Sequence, residues 1–346
     1  MGRSNWRHSI CRHVSPLIYG GMVLLSALFL SLIGVSRGVN GAASAQAADG
    51  VVPNCWSPAD LAVRHREWRA RRGRGAFSMS SLHQIDLPSP LPVPPSLQGS
   101  IRGVSLPPGV KLLALTFDLC EGPFEVAGYD GRVIDYLRRE KVPATLFASG
   151  KWLMSHPKRA QQLLADRLFE LGGHGWAHKN FRRLSAVQMK KEIALTLKAF
   201  AHVKSSTTTT ICSADDETLA SPQAFPYKDM RLFRFPYGVC TPQALKAVNE
   251  AGQLAIQWSV VSGDPAPLQS ARRMARVVLQ RVRPGSIVVM HANGRGWNTA
   301  KALPLIVPQL RAMGYRFVTV GDLLKAGQPL TKKRCYENRP GDNRHY

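Results

Sequence analysis

The sequence predicts an α/β fold, with parallel strands curled into a barrel-like sheet and helices outside it. From Val110 onward, short apolar runs alternate with helical patterns, and this alternation is typical of parallel sheets. The alternation continues for about 220 residues, a length that suits a single α/β barrel-like domain. Polar residues follow the apolar runs, at the end of a parallel sheet where functional side chains gather.

Six apolar runs have the length and composition of strands. They cover residues 111–118, 143–149, 232–235, 254–260, 285–291 and 315–320. Five stretches between or after them have helical periodicity. They cover residues 132–140, 185–203, 241–252, 270–282 and 299–314. The Ser/Thr-rich segment 204–223 breaks the alternation, and we expect it to be a surface loop.

Residues 1–47 are typical of an export signal. Arg3, Arg7 and Arg12 precede an apolar run from Pro16 to Val35, and an A-x-A cleavage pattern ends at Ala47. The run approaches the ~20 residues that span a bilayer, so an uncleaved N-terminal anchor in the inner membrane stays open as an alternative. Either alternative predicts an exported protein of the periplasm or cell envelope.

The flanks of the predicted domain at 110–327 are basic. Residues 48–109 contain the basic cluster Arg66 to Gly75 and a Pro-rich segment, and we expect a linker or arm; residues 328–346 form a basic tail. The chain has 46 Lys and Arg against 22 Asp and Glu, which favours an anionic partner. The arm is therefore either a solvated stretch or a contact to an anionic envelope polymer. Because no nucleic-acid-binding motif is present, we predict no nucleic acid partner.

Polar side chains form five clusters along the chain, each at or just after a stretch that we interpret as a strand. They are Asp118, His174 with His178, Arg234 with Tyr237, Asp264, and His291. The two histidines lie four residues apart, a spacing that on a helical turn puts both imidazoles on one face, ready to bind one metal. A carboxylate from another strand end would complete such a site.

These motifs resemble those of the polysaccharide deacetylase family, the NodB-homology carbohydrate esterases of family 4. The resemblance rests on "LTFD" with "GP", "HGWAH", "RFPYG", "WSVVSGD" and "VVMH", in that order, and covers about residues 110–325. It implies a distorted (β/α) barrel of the NodB-homology type. It also implies removal of N- or O-acetyl groups from glycans with one divalent metal, which we expect to be Zn²⁺.

The resemblance also implies a part for each residue. Asp118 would be the general base and His291 the general acid. The backbone N–H of Tyr237 would bind the oxyanion. Arg234 would orient Asp118, and Asp264 would steer either His291 or Arg234. His174 and His178 would bind the metal.

The first motif departs from the family pattern. The family has two adjacent aspartates, of which the second binds the metal, but Leu119 occupies that position here. If the alignment is fixed at Gly122-Pro123, Glu121 takes the place of the second aspartate. We therefore expect Glu121 to be the third metal ligand; the alternative is that Glu121 points to solvent and water takes that position. In the fourth motif, Val261 stands where an aspartate is common.

The cysteines outside the leader are Cys55, Cys120, Cys212, Cys240 and Cys335. Their spacings match no zinc ribbon or finger, which argues against metal binding by cysteine. Export permits disulfides. We expect a Cys120–Cys240 bond, since both residues follow strand-end motifs, although Cys55, Cys212 and Cys335 compete as partners.

The sequence thus predicts an exported, metal-dependent polysaccharide deacetylase. Its substrate would be an acetylated polysaccharide, with the N-acetyl groups of amino sugars as the target. Two alternatives remain: a non-catalytic glycan-binding protein with a degenerate metal site, and an O-acetyl esterase on the same scaffold.

Overall fold

The computed structural model describes residues 56–210 and 229–335. The predicted leader, residues 211–223 of the predicted Ser/Thr-rich loop and the end of the basic tail lie outside the described residues. Residues 204–210, the beginning of that predicted loop, are helical instead.

The described strands are numbered in chain order. They are β1 (Arg71–Arg72), β2 (Ser100–Ser105), β3 (Leu112–Leu119), β4 (Glu125–Val126), β5 (Ala144–Ala148), β6 (Phe169–Gly173), β7 (Leu232–Phe233), β8 (Leu254–Ile256), β9 (Val260–Val261), β10 (Ile287–His291), β11 (Arg316–Phe317) and β12 (Gln328–Lys332). The α-helices are α1 (Pro58–Leu61), α2 (Ser80–His83), α3 (Gly131–Arg139), α4 (Gly150–Ser155), α5 (Pro157–Ala165), α6 (Ala186–Thr210), α7 (Pro242–Glu250), α8 (Ala271–Arg281), α9 (Thr299–Ala312) and α10 (Val320–Lys325). Short 3₁₀ helices cover Pro95–Leu97, Phe181–Arg183 and Pro236–Gly238.

The main sheet confirms the predicted fold class, a distorted (β/α) barrel. Its order is β12-β2-β8-β7-β6-β5-β3-β10-β9, with β11 also pairing with β3. All of these pairs are parallel except β12 with β2. An isolated bridge between Gly103 and Ser286 connects β2 to the start of β10, so the curled sheet nearly closes on itself.

The register of the strands brings their carboxyl ends to one level. Asp118 on β3 pairs with His291 on β10. Leu119 pairs with Ala148 at the end of β5, and Ala148 pairs with Gly173 at the end of β6. Side chains that follow these residues therefore meet at one mouth of the barrel.

The alternation of β3 decides which side chains face that mouth. Leu113, Leu115, Phe117 and Leu119 belong to the core between sheet and helices. Leu112 and Ala114 belong to a second core that also receives residues from β2, β8 and β10. Because side chains alternate along a strand, the barrel interior receives residues 112, 114, 116 and 118, and Leu119 faces the helices.

The folded domain extends past the predicted bounds of 110 and 327. Strand β2 comes from the predicted arm and β12 from the predicted tail, and the two pair with each other. Helices α4 and α5 had not been predicted as separate elements. Most strands lie within the predicted apolar runs, but the central strand β6 (Phe169–Gly173) was not predicted as a strand, and β2 and β12 add an edge of mixed polarity.

The predicted basic arm packs on the domain beside the site. Its β1 pairs with β4, and Tyr129 N–H donates to the Glu67 carbonyl at 2.9 Å. Arg159, which is almost fully buried, donates to both carboxylate oxygens of Glu67 at 2.8 Å. Arg71 and Arg72 themselves stay exposed.

The predicted Cys120–Cys240 disulfide is wrong. Cys240 bonds to Cys335, with their Cα atoms 5.4 Å apart, and Cys120 is a buried thiol. The bond ties the segment after β7 to the residue that follows β12. Cys120 cannot take part because its side chain points into the mouth of the barrel.

Within residues 56–210 and 229–335, no helix has both the length and the apolar character that a membrane crossing needs.

Candidate active site

Asp118 lies at the centre of the barrel mouth and is held by Arg234. The two residues are almost fully buried. Arg234 Nη1 donates to Asp118 Oδ1 at 2.8 Å and to Thr116 Oγ1 at 2.8 Å. Arg234 Nη2 also donates to the Gln257 carbonyl at 3.2 Å. The guanidinium therefore fixes the carboxylate in one orientation.

The surroundings of Asp118 keep it ionised. Burial alone would raise the pKa of this carboxyl group, but the positive charges of Arg234, His174 and His291 outweigh burial and lower the pKa. Asp118 Oδ2 also lies 3.8 Å from His174 Nε2. A buried carboxylate that stays charged at neutral pH can accept a proton from a neighbouring water.

Asp264 anchors His291 through both its backbone and its ring. Asp264 Oδ2 accepts from the His291 N–H at 2.6 Å, and Asp264 Oδ1 lies 3.0 Å from His291 Nδ1. Ser262 and Thr299 donate to the same carboxylate, at 3.0 and 2.7 Å. Since a carboxylate only accepts, His291 Nδ1 carries the proton of this bond. Of the two partners foreseen for Asp264, the structure places it on His291.

His174 and His178 come together through a loop, not through the predicted helical turn. Their ring centroids lie 4.9 Å apart. Gly175 has a φ of 71° and His178 a φ of 49°, so the chain turns through left-handed conformations between them. The Ala177 N–H donates to the buried Glu192 carboxylate at 2.8 Å, which holds the loop down.

Gly172, on β6 just before this loop, makes room for the Phe147 ring. A Cβ atom at this position would lie 2.6 Å from the Phe147 ring. Because Gly172 has no side chain, the Phe147 ring can occupy the barrel interior. There the Arg234 guanidinium lies over the ring, 4.0 Å from its centroid.

Tyr237 lies in the turn after β7 and packs against His178. Its ring centroid is 4.5 Å from that of His178. Its φ of 62° is left-handed, which is uncommon for a residue with a side chain and is found at functional sites. Behind it, Gly238 is required, because a Cβ there would lie 2.4 Å from the Trp258 ring.

Cys120 enters the barrel mouth two residues after Asp118. Its Sγ lies 3.6 Å from His174 Nε2. Ligand atoms of Cys120, His174 and His178 all lie within 4.8 Å of one another, and we call this group the cysteine–histidine cluster. Asp118, Cys120 and His291 form a second such group. The thiol therefore lies between the two histidine-bearing sides of the site.

Glu121 is not brought to the histidines, although we expected it to be a ligand. Its carboxylate accepts from Ser155 Oγ at 2.6 Å and from the Ala127 N–H at 3.1 Å. Lys151 Nζ lies 3.8 Å away. The physical reason is the direction of the chain: Glu121 points toward α4, so its oxygens are engaged outside the barrel mouth.

Comparison with known proteins identifies the family. The family model for polysaccharide deacetylase matches residues 106–218. A chitooligosaccharide deacetylase of Rhizobium leguminosarum bv. phaseoli is 31% identical over 188 residues, 53% of this chain and 69% of that protein. The chain belongs to the polysaccharide deacetylase family.

Two further relatives of this deacetylase match over a longer part of the chain. A peptidoglycan-N-acetylglucosamine deacetylase of Bacillus cereus is 29% identical over 223 residues, 64% of this chain and 91% of that protein. The solved structure of a family 4 acetyl xylan esterase from Clostridium thermocellum, in complex with a cobalt ion, superposes with a TM-score of 0.51. It is 25% identical and covers 66% of this chain and 100% of that one.

The deacetylase has residues that fit a divalent metal. His174 Nδ1 lies 2.8 Å from the Arg234 carbonyl, and because a carbonyl only accepts, the proton is on Nδ1 and the lone pair of Nε2 faces Cys120. His178 Nε2 is buried and has no hydrogen-bond partner among the described residues. An imidazole donor fixed by a backbone carbonyl is the arrangement found around metal-binding histidines.

Sequence reasoning missed several residues of the site. Thr116 is one of them: it lies two residues before Asp118 on β3, so both side chains are on the same face of the strand. Glu192 lies within a helical pattern and gave no signal of its contact with the loop after β6. Cys120 is another: we expected it in a disulfide, but it lies two residues after Asp118, so alternation along the extended chain puts its side chain on the face of Asp118 and opposite to that of Leu119.

Proposed function

We propose that this deacetylase is an exported, metal-dependent enzyme that hydrolyses the N-acetyl groups of amino sugars in an envelope or extracellular glycan. One observation carries the proposal. The buried Asp118 at the end of β3 and the buried His291 at the end of β10 lie beside the cysteine–histidine cluster, and each is fixed by its own partner, Arg234 and Asp264 respectively. The named activities of the Rhizobium and Bacillus relatives support an acetylated amino sugar polymer as the substrate class.

Asp118 acts as the base in this proposal. It is ionised, and Arg234 holds one of its oxygens while the other faces His174. Asp118 removes a proton from the attacking water as the water oxygen bonds to the acetyl carbon. The arrangement needs no movement of the carboxylate, because three hydrogen bonds already fix the guanidinium that orients it.

His291 acts as the acid. With Nδ1 held on Asp264, its other ring nitrogen is the one that can exchange a proton with substrate. As the carbon–nitrogen bond breaks, the sugar nitrogen takes a proton from His291 and leaves as an amine. The products are acetate and the free amino sugar, which balances one amide and one water.

The remaining residues bind and polarise the acetyl group. A divalent metal, for which we propose Zn²⁺, would supply polarisation of the acetyl carbonyl and increased acidity of the attacking water when bound by His174 and His178. The Tyr237 N–H lies in a tight turn beside His178 and is our proposed donor to the oxyanion.

A second function is favoured by one comparison. The structure from Clostridium thermocellum is named as an acetyl xylan esterase, so the same scaffold can serve O-acetyl groups. The leaving oxygen of an ester needs less help from an acid than the nitrogen of an amide. The buried Asp264–His291 pair therefore favours amide substrates in this chain.

The test is acetate release from a matched panel: N-acetylated chito-oligosaccharides, peptidoglycan and O-acetylated xylan, each with and without chelator. We expect acetate together with free amine from at least one amino sugar substrate, and loss of both after metal removal. Acetate from xylan alone would establish the esterase. No acetate from any substrate by metal-loaded protein would support the non-catalytic glycan-binding alternative.

Export and the basic arm belong to the same proposal. The proposed leader lies outside the described residues, and the test is the cellular fraction in which the intact chain is found. The exposed Arg71 and Arg72 beside the site support a contact with an anionic envelope polymer. We expect R71E/R72E to weaken binding to such a polymer at low salt while leaving acetate release from short neutral oligosaccharides intact.

A further inference from the structure

Cys120 occupies the position that a third metal ligand would need. Leu119 faces the helices with Leu113, Leu115 and Phe117, so it lies outside the barrel mouth. Cys120 follows it and turns back to the side of Asp118. Its Sγ lies 3.6 Å from His174 Nε2, and it shares the 4.8 Å cluster with both histidines.

The separations fit a tetrahedral metal centre. A zinc ion bound by one thiolate at ~2.3 Å and one imidazole at ~2.05 Å, with a tetrahedral angle between them, holds the two donor atoms ~3.6 Å apart. Cys120 Sγ and His174 Nε2 have this separation. The two donor atoms therefore have the separation expected of two ligands of one metal ion, and neither a disulfide nor a strand pairing between the two residues imposes it.

A second observation points into the same space. His178 is 3% exposed, and its Nε2 has no hydrogen-bond partner in the described part of the chain. A buried imidazole nitrogen without a partner is costly, and a metal ion would satisfy it. His174 is oriented by the Arg234 carbonyl on its far side.

Two nearby carboxylates are less suited to be the third ligand. Arg234 holds Asp118 Oδ1 at 2.8 Å and leaves Oδ2 for the proposed part of Asp118 as the base. Glu121 accepts from Ser155 and from the Ala127 N–H, away from the histidines. A thiolate supplies the single negative charge that the family obtains from its second aspartate. It also changes the metal preference, because thiolate selects Zn²⁺ and related ions over Mg²⁺, Ca²⁺ or Mn²⁺.

We propose that Cys120, His174 and His178 together form the metal site of this deacetylase, with the Cys120 thiolate in place of the family's aspartate. This inference rests on the proposed metal-dependent function. It leaves Asp118 as the base and removes Glu121 from the ligand set.

The test is the absorption spectrum of the full chain after its native metal has been replaced by Co²⁺. A cobalt–thiolate bond gives an intense near-ultraviolet charge-transfer band, whereas a carboxylate gives none. We expect this band in the wild-type protein and in Glu121→Gln, the matched control at the neighbouring carboxylate. We expect it to disappear in Cys120→Asp and Cys120→Ala.

Affinity gives the second readout. Changes around a metal site that spare its ligands already cost about 10–100-fold in affinity, so loss of a ligand in Cys120→Ala is expected to cost at least about 100-fold. Cys120→Asp should recover most of this loss, since it restores the aspartate of the family. Glu121→Gln should bind Co²⁺ with unchanged affinity. Circular dichroism checks that each variant is folded.

Three results would overturn the proposal. They are a cobalt-loaded wild type without the band, a band that persists in Cys120→Asp, and a folded Cys120→Ala that binds Co²⁺ as tightly as the wild type. The wild-type spectrum needs no variant to fold. Because the spectrum does not depend on turnover, a thiolate band without acetate release would contradict the proposed function and leave the ligand assignment intact.

Discussion

Asp118 and Glu121 are two buried carboxylates only three residues apart, and the fold uses them in opposite ways. Asp118 points into the barrel mouth, where Arg234 at 2.8 Å helps to lower its pKa. Glu121 points toward α4, where burial raises its pKa despite the hydrogen bonds from Ser155 and Ala127. The direction of each side chain, and not its distance along the chain, decides which one belongs to the site.

The different directions of Asp118 and Glu121 follow from the residues between them, where the first motif has Leu119 and Cys120 after Asp118. Alternation along β3 sends Leu119 to the helical side and returns Cys120 to the mouth. Glu121 then lies beyond the end of the strand, and its carboxylate ties the following loop to α4 through Ser155. One carboxylate therefore lies in the candidate site, and the other connects the following loop to α4.

The largest expected effect is on turnover when the same chemical change is made at both carboxylates. Asp118→Asn should lower kcat about 10²–10⁴-fold, because the amide cannot accept the proton that the proposed base takes from water. Glu121→Gln should leave kcat within a few fold of the wild type. Acetate release at saturating substrate measures both, with metal content determined in parallel. Equal rates in the two variants would contradict the conclusion that only Asp118 belongs to the active site.

The acid side of the site should show a loss of similar size. His291→Ala removes the proposed acid for the leaving nitrogen, and we expect kcat on amide substrates to fall about 10²–10⁴-fold. The control is His83→Ala, at an exposed histidine on α2. The effect on an activated ester should be much smaller, because that leaving group needs no proton. A wild-type rate on amides would remove His291 from the mechanism.

Glu170 offers a third buried carboxylate at the opposite end of the same barrel. It accepts from Thr145 Oγ1 at 2.8 Å and from the Gly321 N–H at 3.0 Å. Burial raises its pKa from 4.5 to about 7. In this range the folded protein binds more protons than the unfolded chain, so its free energy of unfolding should fall as pH rises from about 4.5 to about 7.

The size of this fall is on the order of 3 kcal/mol. Urea unfolding at several pH values measures it, and Glu170→Gln serves as the comparison because it cannot ionise. We expect the variant to lose this part of the pH dependence. The same slope in variant and wild type would show that Glu170 ionises normally in the folded protein.

The smallest expected effect concerns the structural part of Glu121. Glu121→Ala leaves the buried Ala127 N–H without its acceptor, which costs about 1–3 kcal/mol, whereas the half-buried Ser155 Oγ can turn to water at little cost. Glu121→Gln keeps an oxygen acceptor and should cost less. Chemical denaturation of both variants measures the difference. If Glu121→Ala is as stable as the wild type, Glu121 does not hold the loop.

The sequence contained enough information for the fold and for most of the site. Alternation of apolar runs with helical patterns predicted the parallel sheet, because each strand must be covered on both faces. The strand-end rule then predicted that Asp118, Arg234, Asp264 and His291 would converge, and the structure brings them to one mouth. Their parts in catalysis stay predictions.

What the sequence could not give were contacts set by side-chain direction and by distant pairing. Glu121 matched the family's ligand by its place before Gly122-Pro123. However, alternation along the chain turns the Cys120 side chain into the barrel mouth and the Glu121 side chain away from it. The Cys240–Cys335 bond spans 95 residues, and no local pattern specifies such a partner. Strands β2 and β12 are short and of mixed polarity, so they look like linker and tail until each has the other beside it.

The pairing of β2 with β12 sets an order for folding as the chain is made. Strand β2 is synthesised early, but its antiparallel neighbour begins at Gln328. Until that segment has left the ribosome, one edge of the sheet has unpaired backbone groups that can recruit another chain. Completion of the sheet must therefore wait for almost the whole polypeptide. A chain that stops before residue 328 would keep an open, aggregation-prone edge even though every residue of the candidate site is present.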